Sequence, residues 1–226
     1  MRPSLTLAWL IWLAAAPMVQ AGGWLRDAGG RMLSVSHEIS HDQTWGGTWG
    51  YTTVYGEYEL SPRLTLGLDA GRGDADGDWK ALIFLRTGHA FDALPGRVAI
   101  ELGLGAAGLP EGGAEGLIRP VLSWGYGTPT RLGAAWVNLD ASAEHRVQTA
   151  RTATKVDLTL GLSVTSRNAL TLEVRTEDPA QGARTLRLAP SVQHRLGRGP
   201  WLRLGAIIGL ENDDSLGLIL GSRFEF

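Results

Sequence analysis

The chain is 226 residues long, lacks cysteine, contains 31 glycines and carries a formal net charge of -2 at pH 7. The missing thiols exclude disulfide staples and thiolate or zinc-cysteine chemistry, and the near-neutral charge balance excludes an electrostatic case for nucleic acid. Glycine stands at nearly twice its usual share, which in a β protein marks turns, bulges and places where chains pass closely.

At the start of the chain, Arg2, the apolar run from Leu5 to Ala16 and the small residues around Val19-Gln20-Ala21 read as the three regions of a secretory signal peptide. The run is shorter than the roughly 20 residues that a spanning helix needs. Cleavage after Ala21 leaves one domain, residues 22-226. Taking Arg2 from the 21 basic side chains leaves 20 against 23 acidic ones, a net charge of -3. No later stretch resembles a spanning helix, so a membrane form of this chain has to be a closed barrel whose backbone groups are all paired.

From about Arg31 onward, apolar and polar residues alternate with period two. Leu64, Leu66 and Leu68 alternate with Thr65, Gly67 and Asp69; Val156, Leu158, Leu160, Leu162 and Val164 alternate with Asp157, Thr159, Gly161 and Ser163. The pattern predicts strands near 30-41, 48-60, 63-72, 79-89, 97-107, 117-127, 132-146, 155-165, 169-176, 184-195, 201-211 and 216-226. An even count suits bacterial outer-membrane barrels, and a tilted strand crosses a bilayer in about 9 to 11 residues. The expected fold is therefore all-β, an antiparallel up-and-down transmembrane barrel of about twelve strands.

The connections alternate in character. Ser61-Pro62, Ser166-Arg167-Asn168 and the stretch from Leu196 to Pro200 are tight, as periplasmic turns are, while Ala90 to Gly96 reads as longer than that rule prefers. His41 to Gly47, Gly73 to Asp78, Leu109 to Gly116, Val147 to Ala153 and Glu177 to Gly182 are polar, glycine-rich or acidic, and are expected as somewhat longer surface loops.

Alternation alone does not say which face is outside. Twelve strands supply more leucine-class side chains than a soluble barrel of this size can pack in its lumen, whereas in lipid the same face forms an outer belt. The opposite face carries glycine, hydroxyls and charges of both signs. The expected lumen-lining residues are Arg119, Arg187, Arg203, Glu101, Asp157 and Glu173, pairing across a narrow passage. Trp45, Trp49, Tyr51, Tyr55, Trp124, Tyr126, Trp136 and Trp201 fall near strand ends or in adjoining loops, as residues of interfacial girdles do.

At the end of the sequence, Leu216, Leu218 and Leu220 lead to Phe224 and Phe226 on one face. The run from Gly221 through Phe224 to Phe226 resembles the C-terminal signal by which bacterial outer-membrane proteins are recognised for assembly, departing from it at Ile219, where that pattern has a polar residue. Over residues 22-226 the pattern resembles proteobacterial outer-membrane β-barrel proteins with short loops. That resemblance implies outer-membrane lipid and the barrel assembly machinery as partners, and says nothing of the oligomeric state.

The expected function is a narrow pore for small solutes or a structural barrel. A lipid-modifying hydrolase of phospholipase or deacylase type is the alternative; it needs imidazole and hydroxyl on one face. Ser36 and His37 point to opposite faces, as do Ser191 and His194, and no Gly-x-Ser-x-Gly occurs. A soluble periplasmic ligand-binding β protein is the second alternative. No catalytic residue, cofactor or metal is expected: the acidic loop from Arg72 to Asp78 lacks EF-hand spacing, and the fingerprint-like Gly103, Gly105 and Gly108 lie on a strand with no helix after it.

Overall fold

A computed structural model describes residues 26-226 apart from Asp76 and Asp92; the expected signal peptide lies outside the described residues. Twelve strands follow in chain order: β1 (Arg31–Asp42), β2 (Thr48–Ser61), β3 (Leu64–Gly73), β4 (Trp79–Phe91), β5 (Leu94–Gly108) and β6 (Ala114–Thr130), then β7 (Gly133–Arg146), β8 (Arg151–Ser163), β9 (Asn168–Asp178), β10 (Thr185–Arg195), β11 (Trp201–Glu211) and β12 (Ser215–Glu225). Each pairs antiparallel with its chain neighbours, and β1 closes on β12 with Met32 opposite Glu225 and Asp42 opposite Ser215. Closure removes every sheet edge, so all strands exchange their backbone hydrogen bonds with a neighbour, the condition for crossing hydrocarbon. Among the described residues no helix is long and apolar enough to cross a membrane.

The alternation resolves with the apolar face outward. On β5, Ile100, Leu102 and Leu104 are half exposed or more, while Ala99 and Glu101 at the alternate positions are buried. Leu216, Leu218 and Leu220 repeat this on β12. An apolar wall of this kind has no partner within the chain. The inner face holds the buried charges Glu57, Glu59, Asp69, Arg86, Glu101 and Arg119, the reverse of a soluble barrel.

The inner wall is not wholly polar. Leu82, Phe84, Ala107 and Leu117 form one lumenal apolar cluster, with the Tyr55 ring 5.5 Å from that of Phe84. Ala189, Ile207 and Ile219 form another. Burying one such side chain contributes about 2 kcal/mol. Ile219 therefore sits where it does as a packing residue of the lumen wall. Glycines opposite the large rings make this packing possible: a Cβ on Gly67 would fall 2.0 Å from Phe84 and one on Gly161 would fall 1.9 Å from Trp136.

The expected contrast between short turns and somewhat longer loops is present and modest. Connections on the side of the chain termini span 62-63, 92-93, 131-132, 164-167 and 196-200; those opposite span 43-47, 74-78, 109-113, 147-150, 179-184 and 212-214. β6 starts at Ala114 and β8 at Arg151, three and four residues ahead of the predicted strands near 117 and 155. Cross-strand pairing continues there, as between Ala107 and Glu115 or Arg146 and Arg151. At these rims both faces meet polar surroundings, so no apolar period marks the strand.

Candidate functional site

The lumen holds two stacked cavities. The one nearer the termini measures about 460 Å³ and the one nearer the loops about 610 Å³; Asp69, Lys80, Glu144, Lys155 and Asp157 line both. Together their walls carry ten acidic and nine basic side chains. Two ion-pair networks organise most of that charge.

The first network runs over β2 to β6. Arg86 donates to Glu57 at 2.6 Å, to Glu101 at 2.7 Å and to the Tyr55 hydroxyl at 2.7 Å, and that hydroxyl donates to Glu57 at 2.7 Å. The other oxygen of Glu101 accepts from Arg119 at 3.0 Å, and Arg119 also donates to Asp69. Arg26, ahead of β1, reaches into the same network through Glu57, and its backbone N–H donates to Glu59 at 3.0 Å. Glu59 also accepts from Thr65 at 2.6 Å. Charges removed from bulk water persist only when paired and hydrogen-bonded in this way.

The second network spans β9 to β1. Arg175 donates to Glu173 at 2.7 Å and crosses to Glu38 at 2.8 Å. Arg203 donates to Glu173 and, at 3.0 Å, to Ser191, whose hydroxyl is 2.5 Å from that of Thr171. Between the networks, Lys80 meets Glu144 at 2.5 Å and Lys155 meets Glu177 at 3.2 Å.

Of the six residues expected to pair across the lumen, the structure joins Arg119 with Glu101 and Arg203 with Glu173. Arg187 lines the loop-side cavity, but its partner is Asp213 in the loop between β11 and β12. Asp157 lines both cavities and makes no ion pair with any described residue. Its cross-strand neighbour on one side is Asp140; on the other it is Arg175, whose guanidinium is taken by Glu38 and Glu173. The expectation that all six pair with one another is thus corrected at Arg187 and Asp157. Cross-lumen distances depend on barrel closure, which strand patterning does not encode. The hub residue is Arg86, which the six did not include, although its parity on β4 puts it on the charged face.

Outside the spanning part, burial disfavours the Asp213 carboxylate, but hydrogen bonds from Ser215 and Arg187 outweigh it and hold the carboxyl below its ordinary range.

The aromatic girdle is also corrected. Trp49, Tyr51 and Tyr55 line the lumen. Trp136 and Trp201 are buried against Ala169 at the terminus side of the lumen, with the Arg223 guanidinium 5.4 Å from the centre of the Trp201 ring. They pack on the lumen wall there, with the Trp136 ring lying over Gly161 of the neighbouring strand. Trp124 and Tyr126 lie on the outer wall, 6.5 Å apart and nearly parallel, and Trp45 is in a loop. The sequence held the signal: Trp49, Tyr51 and Tyr55 share parity with Glu57, and Trp201 with Arg203.

Four histidines turn to cross-strand partners on the outer wall: His37 to Thr52 at 2.9 Å, His41 to Thr48 at 3.0 Å, His145 to Thr152 at 2.9 Å and His194 to Asn168 at 2.8 Å. None of these partners is a serine. Among the described residues no group of three His, Asp or Glu side chains is placed to hold a metal ion.

No protein family profile and no curated protein matches the sequence. Solved structures do match in fold. A KdgM porin in complex with disordered oligogalacturonate aligns with a TM-score of 0.59 and 10% identity over 86% of this chain and 99% of that one. An outer membrane channel from Pseudomonas putida F1 aligns with 0.58 and 14% over 92% and 100%, and a NanC porin with 0.56 and 9% over 85% and 98%. This chain therefore has the closed, twelve-stranded, all-antiparallel fold of outer-membrane barrels.

Proposed function

We propose that this chain is an outer-membrane barrel that passes small solutes through a narrow lumen of mixed charge. The observation that carries the reading is a charge-lined interior, two cavities walled largely by paired charges, inside a barrel whose outer wall is apolar. The fold neighbours described as porins and as a channel support it. One of them holds an acidic sugar oligomer, but the cavity walls here carry one more acid than base, so a preference for polyanions is not part of the proposal. Outer-membrane lipid is the expected surround, and the assembly machinery is expected to read Gly221, Phe224 and Phe226 at the end of β12.

Planar-bilayer recording of the purified protein tests the function. Small, weakly selective conductance steps are expected, because a mixed-sign passage discriminates little between ions. A closed structural barrel is the second reading, favoured by the lumenal Arg26 and the ion pairs that link it through Glu57 to Arg86; it predicts no steps from a protein that resists carbonate extraction and shifts on gels after boiling. Recovery in the soluble periplasm would overturn both.

A further inference from the structure

The two rims of the barrel carry opposite charge. At the loop rim, the exposed described charges are Asp74, Asp78, Glu111, Asp178, Glu211 and Asp214 against Arg72, Arg151 and Arg184. At the terminus rim the balance reverses, with exposed Asp27 and Glu225 against Arg31, Arg63, Arg97, Arg131, Arg167 and Arg198. Arg63, Arg131, Arg167 and Arg198 each sit in a different turn, and Arg31 opens β1; all five are exposed. None of the five makes an ion pair with a described residue, although arginines inside the lumen are nearly all paired. Arg31 instead covers the outward Tyr58 ring at 5.4 Å.

This collar begins where the apolar wall ends. Leu64 follows Arg63, Leu132 follows Arg131 and Leu196 lies two residues before Arg198, and all three leucines are exposed. Trp124, on the outer wall of the same rim, donates from its indole to Pro95 at 2.9 Å. An arginine one residue beyond a lipid-facing leucine, beside an interfacial tryptophan, lies at headgroup depth, and its stem can lie along the apolar wall while its guanidinium meets a phosphate bidentately.

We propose that the arginine collar formed by Arg31, Arg63, Arg131, Arg167 and Arg198 binds the phosphates of anionic phospholipids in the leaflet that surrounds the terminus rim. The inference rests on the reading of the chain as a bilayer-spanning barrel. Charge complementarity selects the occupant, because five exposed guanidinium groups, none with a carboxylate partner among the described residues, ring the end of the apolar wall, at the depth where phosphodiesters lie. The acidic opposite rim gives the same lipid no such purchase, so the collar also fixes which way the barrel sits relative to an asymmetric charge distribution.

The test uses the purified protein in phosphatidylcholine vesicles containing brominated phosphatidylcholine or brominated phosphatidylglycerol. The quenching of Trp124 is taken as the difference between the protein and its Trp124→Phe variant. A basic side chain close to an anionic surface is worth about a factor of five in binding. Brominated phosphatidylglycerol should therefore quench Trp124 with a several-fold preference that fades at high salt. Replacing Arg63, Arg131, Arg167 and Arg198 together with glutamine should abolish the preference, the matching lysine variant should keep most of it, and glutamine at Arg72, Arg151 and Arg184 should leave it intact. Equal quenching by the two lipids in an inserted, heat-modifiable barrel overturns the collar proposal alone and leaves the rim to a soluble acidic partner. Failure to insert into either vesicle overturns the membrane reading and, with it, the collar.

Discussion

Glu101 holds two arginines at once, one on each carboxylate oxygen, Arg86 from β4 and Arg119 from its neighbour β6. Its side chain is nearly inaccessible to solvent. Removing one partner of a buried pair leaves the other charge uncompensated, which costs more than the pair was worth. Glu101→Ala should therefore lower stability by about 3 kcal/mol, read as a shift in the urea midpoint of the detergent-folded protein. Glu101→Gln keeps an acceptor for one arginine and sets an amide NH2 against the other, so it should recover only part of that loss; losses equal to those of alanine would mean that charge, not hydrogen bonding, dominates. Asp213 makes the corresponding point for pH. Its carboxyl is held below the ordinary range, so the stability it lends through Arg187 and Ser215 is complete above the unfolded pKa and is lost as pH falls through the lowered value. Hydrogen-exchange protection of the Ser215 amide should hold down to mildly acidic pH and then fall. In Asp213→Asn it should be low at neutral pH and insensitive to acid.

Among the elements, β12 does two separable things. Its backbone closes the barrel, ending in the exchange of hydrogen bonds between Phe226 and Arg31 at 3.0 and 3.2 Å, while its Phe226 side chain is exposed, its ring nearly parallel to that of Phe224 with 6.4 Å between centres. Phe226→Ala keeps the backbone bonds and removes the ring. It should sharply reduce folded barrel in cells, measured by heat-modifiable protein in outer membranes, yet refold normally from urea into detergent. Poor refolding in detergent would mean that the ring is structural rather than read by the assembly machinery. The twelve strands were legible because hydrocarbon imposes a strict apolar parity on every spanning segment, as at Leu64, Leu66 and Leu68. That parity lapses beyond the bilayer, so the starts of β6 and β8 were not legible. Lumen partners were legible only as far as which side chains face inward. Glu101 with Arg119 joins neighbouring strands, but Arg175 with Glu38 crosses from β9 to β1, and Arg187 turns to a loop carboxylate next to the register shift between Leu186 and Arg187. Closure geometry sets those choices.

For the whole molecule, the question is how far an ion travels in so crowded a lumen. Twelve strands about 4.8 Å apart, tilted by about 40°, close to a backbone diameter of roughly 24 Å, which long side chains from opposite walls nearly fill. Arg119 and Arg203 reach into that space from opposite networks, each tied to carboxylates that remain when it is removed. Replacing both with alanine changes the cavity lining from ten acids and nine bases to ten and seven, so its net charge moves from -1 to -3. Two lost positive charges at roughly 10 Å in a water-like dielectric favour a monovalent cation by about 0.8 kcal/mol, about fourfold in local concentration. The freed volume and the exposed Asp69, Glu101 and Glu173 then act in the same direction. In a potassium chloride gradient across a planar bilayer, the double variant should conduct more than the unmodified protein and shift its reversal potential towards cation selectivity, with the shift shrinking at high salt. A folded double variant with unchanged conductance and selectivity would mean that the constriction lies elsewhere, and a large porin-like conductance in the unmodified protein would mean that the paired charges do not obstruct the passage.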